Sequence, residues 1–258
     1  QFLMLTFSKA AALEFRRRVH DLVPEYRGLI TITTFHGLCF DLLGQLGDLD
    51  KSETVIARCT QAIEKREVDL SAIANKSVIV LDEFQDVDAA QWQLIQAIAR
   101  MAEDPRIIAV GDDDQIIYDW RGASPEYMAA FRARYKAAEH DLLTNYRSKG
   151  SLVDLTGRIV AGIHNRMKAD RPMVAKDAGT GVQRVVKHAG GFHLQGLVND
   201  LLQQRYPGTT AVLTRTNEQA ILASAMLQQQ GIAARDVGGS DDCALARLRE
   251  LRAFERML

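Results

Sequence analysis

Val78-Ile79-Val80-Leu81-Asp82-Glu83-Phe84-Gln85-Asp86 is a four-residue apolar run that ends on two acids. A short run with no polar alternation reads as a strand covered on both faces, the habit of parallel sheets in α/β proteins. Ligands of open α/β sheets bind at the carboxyl ends of the strands, where loops and helix N-termini converge. Adjacent carboxylates at that point suit a magnesium–nucleotide site, one ordering the metal's shell and the other taking a proton from an attacking water. A plainer reading stays open: an acid after a strand can simply cap the next helix. The segment from Asp82 to Asp86 is longer and more specific than a cap requires.

Outward from that run the pattern repeats. Arg106 to Val110 is again apolar and ends on Gly111-Asp112-Asp113-Asp114. Between the two runs a helix is expected with Trp92, Ile95 and Ala99 on one face and Asp88 as its N-cap. Upstream, Phe2-Leu3-Met4-Leu5 reads as a strand, followed by Ser8 and a helix presenting Ala12, Phe15, Val19 and Leu22. Ile30 to Thr33 reads as another strand and residues 36–43 as a helix, while 44–76 is polar and weakly periodic. Downstream, helices are expected over 150–164, 193–205 and 217–230, the last closed by Gly231. Strands are expected at Val182–Val186 and Ala211–Leu213, after a connection through Pro172, Gly179 and Gly181. The alternation predicts an α/β fold with parallel sheets and flanking helices, divided into a 1–140 and a 141–258 unit joined near residue 140. A strand that opens at residue 2 is expected to lie inside a domain.

Composition narrows the class without naming a ligand. The 258 residues are 47% apolar and 25% charged, enough for one large or two small cores. A net charge of −1 advertises no overall affinity for nucleic acid, so any such contact must be local. Cys39, Cys59 and Cys243 are widely spaced and read as free thiols of a reducing compartment. No apolar run is long enough for a membrane span and no signal peptide is evident, so a cytoplasmic protein is expected.

Gly111-Asp112-Asp113-Asp114-Gln115-Ile116-Ile117-Tyr118-Asp119-Trp120-Arg121-Gly122-Ala123 carries the densest chemistry. Three consecutive acids repel one another unless cations or water serve them, so they are not core. Gln115 can bond a phosphate or a water without a change of charge. Tyr118, Trp120 and Arg121 offer two aromatic faces and a planar cation, suited to stacking on bases. Taken alone, a Tyr-x-Trp pair is more readily explained by core packing.

These segments, in this order, resemble the superfamily 1 DNA helicases of the UvrD/Rep/PcrA group. Leu5 to Ala11 is similar to motif Ia of that family and Thr33 to His36 to motif Ib. Asp82 to Asp86 resembles motif II (Walker B), Gly111 to Ala123 motif III, Asn145 to Ser148 motif IV, and Ala211 to Asn217 the strand that opens the rest of the second motor domain. The resemblance implies RecA-like motor domains: a partial first one over 1–140 and a partial second one over 141–258, with ATP and Mg2+ between them. Asp82 would hold magnesium and Glu83 activate water, with Asp112 also at the nucleotide. Gln115 would sense the γ-phosphate, Arg147 would reach it from the second domain, and Tyr146 would stack on adenine. Thr6, Phe7, Thr34, Phe35, His36, Tyr118, Trp120 and Arg121 would line a track for single-stranded DNA, joined by Arg215 and Asn217. Glu83, Gln115 and Arg147 are expected to face one cleft. The implied partners are single-stranded DNA and duplex/single-strand junctions, with localisation in the cytoplasm through the nucleoid.

The chain also departs from the family pattern. No G-x-x-x-x-G-K-[ST] loop occurs in it, and such a loop supplies the backbone N–H groups and lysine that grip phosphates. Motifs V and VI have no counterpart. These residues alone are therefore expected to hydrolyse no ATP. The stretch from Phe35 to Asp82 is short where the family inserts an accessory domain, and in this it resembles the UvrD-type segment of long RecQ-like proteins. Asp119 stands for a customary glycine and Ile116 for a serine, so Asp119→Gly is expected to tighten single-strand binding at low salt. Two other classes compete: a non-catalytic DNA-binding or scaffolding relative, and a metal-dependent nuclease built on Asp82, Glu83 and Asp112 to Asp114.

Overall fold

The computed structural model describes residues 1–44, 52–118, 120, 122–164, 166–168, 170–187, 193–204, 206 and 208–235. They fall into two compact units, Gln1–Gly181 and Val182–Leu258.

The first unit is built on four parallel strands: β1 (Phe2–Thr6), β2 (Ile30–Thr34), β3 (Val78–Leu81) and β4 (Arg106–Ala109), in the order β2-β1-β3-β4. Phe2 to Thr6 pair in register with Ile30 to Thr34, and Val78 to Leu81 with Arg106 to Ala109. Helices α1 (Lys9–Leu22), α2 (Phe35–Leu42), α3 (Ser52–Glu64), α4 (Ser71–Ala74) and α5 (Ala89–Met101) make the crossovers that parallel pairing demands. The α/β fold with parallel sheets and flanking helices is therefore observed. Burial follows strand order. Leu3, Leu5 and Leu81 are wholly buried in the two central strands, whereas Ile108 on the β4 edge is 43% exposed.

Local chemistry sets the helix ends. Ser8 caps α1 through the Ala11 amide, and Asp88 with Gln91 forms a reciprocal capping box at α5. On α1 only Ala12 of the expected apolar face is buried, and Leu22 is 78% exposed. The buried face of α5 is Leu94, Ile95, Ala97 and Ile98, with Trp92 and Ala99 half-buried at its border. Within 44–76, where sequence pattern showed little, α3 sends Val55, Ile56, Cys59 and Ile63 into the core. Cys39 and Cys59 are free and buried; their mutual hydrogen bond and burial push the Cys39 thiol up. Cys243 lies outside the described residues.

Helix α6 (Pro125–Tyr135) adds Phe131 and Tyr135 to an aromatic cluster with Phe84 and Trp92. A separate two-stranded parallel sheet follows, made of β5 (Thr144–Lys149) and β6 (Val174–Asp177) with α7 (Gly150–Val160) between them. Its strands fall on the polar stretch 144–149 and inside the expected connection.

The second unit contains α8 (His193–Gln204) and α9 (Asn217–Gln229). Gly231, at φ +76°, donates to Gln228 while Ile232 donates to Leu227, the paired closure expected at that glycine. Val182–Val186 and Ala211–Leu213 are corrected from strands to irregular chain. An apolar run becomes a strand only when a neighbour completes its ladder. Among the described residues none pairs with either, and Val182, Val185 and Leu213 are almost fully exposed.

No described helix is long and apolar enough to cross a membrane.

Candidate nucleotide and nucleic-acid site

The residues after β3 and after β4 are tied into one assembly. The Asp82 amide donates to Leu5 O on β1, the Phe84 amide to Val110 O, and the Val110 amide to Leu81 O. These bonds continue the sheet past its last paired residues and set the acid pair beside the turn that follows β4. Asp82 is half-buried and Glu83 exposed, with Glu83 in the left-handed region at φ +50°. Burial, together with the neighbouring Glu83 charge, raises the Asp82 carboxyl above its usual range. Two adjacent acids, one of them costly to ionise alone, form a donor set that a hard divalent cation would relieve.

Gln85 is the hinge of the assembly. Its side chain is buried at 2% exposure, Nε2 donates to Glu83 Oε2 at 2.7 Å, and Oε1 accepts from the Asp112 amide at 3.0 Å. Gly111 leaves room for this contact. A Cβ there would lie 2.8 Å from Gln85 Oε1 and 3.1 Å from the Gln85 nitrogen. Gln115 in turn donates to Asp112 Oδ2 at 2.7 Å. A hydrogen-bonded chain thus runs from Glu83 through Gln85 and Asp112 to Gln115.

The three acids after Gly111 lie close enough together to resemble a metal site, but residues 166–168 of the same unit already serve them. Arg166 grips Asp114 with two bonds, at 2.5 and 2.7 Å, and the Met167 amide donates to Asp113 at 2.6 Å. Lys168 bonds Asp112 and lies 3.5 Å from Asp114. The Arg166 bonds hold the Asp114 carboxyl below the usual carboxylate range. Burial opposes the Lys168 charge, but the surrounding acids outweigh it and raise the Lys168 pKa. Both Asp112 oxygens are engaged within the protein, by Lys168, Gln115 and the Asp114 amide.

Beside this network runs a row of rings. Phe7, just past β1, stacks on Tyr118 at 5.5 Å and 23°, and Tyr118 meets Trp120 at 6.4 Å. Trp120 is 76% exposed, so it is not core packing, whereas Tyr118 is half-buried. Other expected track residues sit differently. Thr6 is wholly buried, with its hydroxyl bound to the Ser8 backbone, and Phe35 is buried in the core at 2%. Thr34 caps α2 through the Gly37 amide, and His36 is half-buried. Arg121 and Asp119 lie outside the described residues.

On β5, Tyr146 is 79% exposed and Arg147 is exposed, where the strand's register shifts and Asn145 Oδ1 accepts the Arg147 and Ser148 amides. Among the described residues no hydrogen bond or ion pair joins Arg147 to Glu83 or Gln115. Arg215 and Asn217 belong to the second unit, exposed at the start of α9; the Arg215 amide bonds Gln219 Oε1. Sequence reasoning missed Gln85, Arg166 and Lys168. An uncharged amide among acids was a signal for the first. The latch spans more than fifty residues of chain, as in Arg166 to Asp114, and left no local signal.

A parallel sheet with an acid pair and an acidic turn at its carboxyl edge belongs to the class of α/β proteins that bind ligands at that edge. Comparison with known proteins is more specific. The sequence profile of the UvrD/REP helicase N-terminal domain matches residues 1–67 and 48–136, and the chain belongs to that family. It is similar to the ATP-dependent DNA helicase Rep of Salmonella typhimurium, 26% identical over 188 residues, covering 70% of this chain and 27% of the relative. PcrA of Bacillus subtilis is 28% identical over 186 residues, covering 70% of this chain and 25% of the relative. DNA helicase II of Haemophilus influenzae is 32% identical over 128 residues, covering 49% and 17%. The chain spans about a quarter of the length of the first of these relatives.

Proposed function

We propose that this chain supplies part of the motor core of an ATP-dependent DNA helicase that moves along single-stranded DNA and separates strands. One observation carries the reading: the Glu83–Gln85–Asp112–Gln115 chain lies next to the Phe7–Tyr118–Trp120 row, so a nucleotide-responsive network adjoins a surface for unpaired bases. In this reading Asp82 holds a magnesium ion, whose charge offsets that of the phosphates. Glu83 accepts the proton of the water that attacks the γ-phosphate, and Gln115 orients toward that phosphate. Tyr146 stacks on adenine and Arg147 steadies developing negative charge. Phe7, Thr34, His36, Tyr118, Trp120 and Arg121 meet the strand, joined by Arg215 and Asn217. Thr6 and Phe35 support that surface from below.

The four-stranded sheet is then part of a first RecA-like domain and the chain from 141 onward part of a second. The work is cytoplasmic, on single strands and their junctions with duplex.

The test is hydrolysis of ATP by the intact protein with magnesium, with and without single-stranded DNA. DNA-stimulated turnover, lost in Glu83→Gln, is expected. The 258 residues alone, which contain no phosphate-gripping loop, are expected to show none. A second reading is a non-catalytic DNA-binding relative; DNA binding by the intact protein without any turnover would establish it in place of the motor.

A further inference from the structure

We infer that Gln85 is a positioning residue for hydrolysis, one that sets the Glu83 carboxylate by reference to the backbone of the turn after β4. The inference rests on the reading of Glu83 as the base. Glu83 is an exposed side chain on a left-handed residue, and nothing about an exposed glutamate fixes its rotamer. The buried amide of Gln85 does, by donating to Oε2 at 2.7 Å and leaving Oε1 for a proton. Its orientation is chemically unambiguous. The carboxylate can only accept and the Asp112 amide can only donate, so the NH2 faces the first and the oxygen the second. Being uncharged, the amide aims the carboxylate without neutralising it; a lysine at 85 would pair with Glu83 and blunt it as a base. A Cβ at Gly111 would crowd this amide, at 2.8 Å from Gln85 Oε1. Because the same turn bears Gln115 and leads into Tyr118, a shift of that turn on DNA binding reaches the base through Gln85.

The test compares the intact wild type, Gln85→Met, Gln85→Glu, Glu83→Gln and the double variant Gln85→Met/Glu83→Gln in ATP hydrolysis with saturating single-stranded DNA, alongside thermal unfolding. Gln85→Met is expected to lower kcat by about ten- to a hundredfold, a part of what a placed general base contributes, with KM for ATP little changed. The double variant is expected to be no slower than Glu83→Gln, because the two side chains act as one unit. Gln85→Glu keeps an acceptor for the Asp112 amide but sets a carboxylate against Glu83, and it is expected to lose kcat as well. Wild-type kcat in Gln85→Met, or multiplied losses in the double variant, would overturn the inference while leaving Glu83 as base. If Gln85→Met does not fold, wild-type kcat in Gln85→Glu overturns it equally. A wild type that hydrolyses no ATP overturns the reading of Glu83 and the inference with it.

Discussion

Gly111 and Trp120 sit at opposite ends of one turn and separate its two duties. Gly111 is where backbone and the buried Gln85 amide approach most closely, with backbone nitrogens of Phe84 and Gln85 also within 3.2 Å of a would-be Cβ. Gly111→Ala therefore forces the turn away from Gln85. It is expected to lower unfolding stability by about 1–3 kcal/mol, the usual range for overpacking, as read by denaturant titration. An unchanged midpoint would mean that the turn yields freely. Trp120, with most of its surface in solvent, supports no core. Trp120→Ala is expected to leave the melting temperature unchanged and to weaken single-strand binding by about 1–3 kcal/mol, the usual contribution of one stacked base.

At the scale of elements, the contact between residues 166–168 and the acidic turn after β4 is exposed to pH. Asp114 faces Arg166 and Lys168, with Asp112 and Asp113 as like-charged neighbours. Its folded pKa is depressed, so its stabilising contribution is complete above the unfolded carboxylate value of about 3.9. It fades as pH falls through the lower, folded value. Arg166→Met should lower the melting midpoint at neutral pH and flatten that acid limb. A variant melting like wild type at pH 7 would show that the pair contributes nothing. The helix α5 offers a simpler check: Asp88→Ala removes one half of the capping box and should cost about 0.5–2 kcal/mol. Elements like these differ in how far sequence discloses them. The strands β1 to β4 and the Asp88 cap were legible because apolar runs and cap residues act over a few neighbours. Helix α3 was not, since its buried Val55, Cys59 and Ile63 are diluted by polar residues and are covered by α2 and α5 only in the folded chain. β5 was hidden for the opposite reason: it is a polar strand whose pairing with β6 depends on residues thirty positions away. In the site, residue types named the acids and rings. The buried placement of Thr6 and Phe35, and the cations that fill the acid trio, are tertiary facts with no local pattern.

For the molecule as a whole, the claim is that the acids at the sheet's carboxyl edge and the exposed rings beside them work as one device, so that nucleotide and DNA feel each other. Membership of the UvrD/REP helicase N-terminal family and the continuous hydrogen-bonded path from Glu83 to Gln115 both support that claim. The most direct measurement is the affinity of the intact protein for a fluorescently labelled single-stranded oligonucleotide, with and without magnesium and a non-hydrolysable ATP analogue. The two dissociation constants are expected to differ by about five- to a hundredfold, the usual scale of coupling between sites. Equal constants in both conditions would contradict the account.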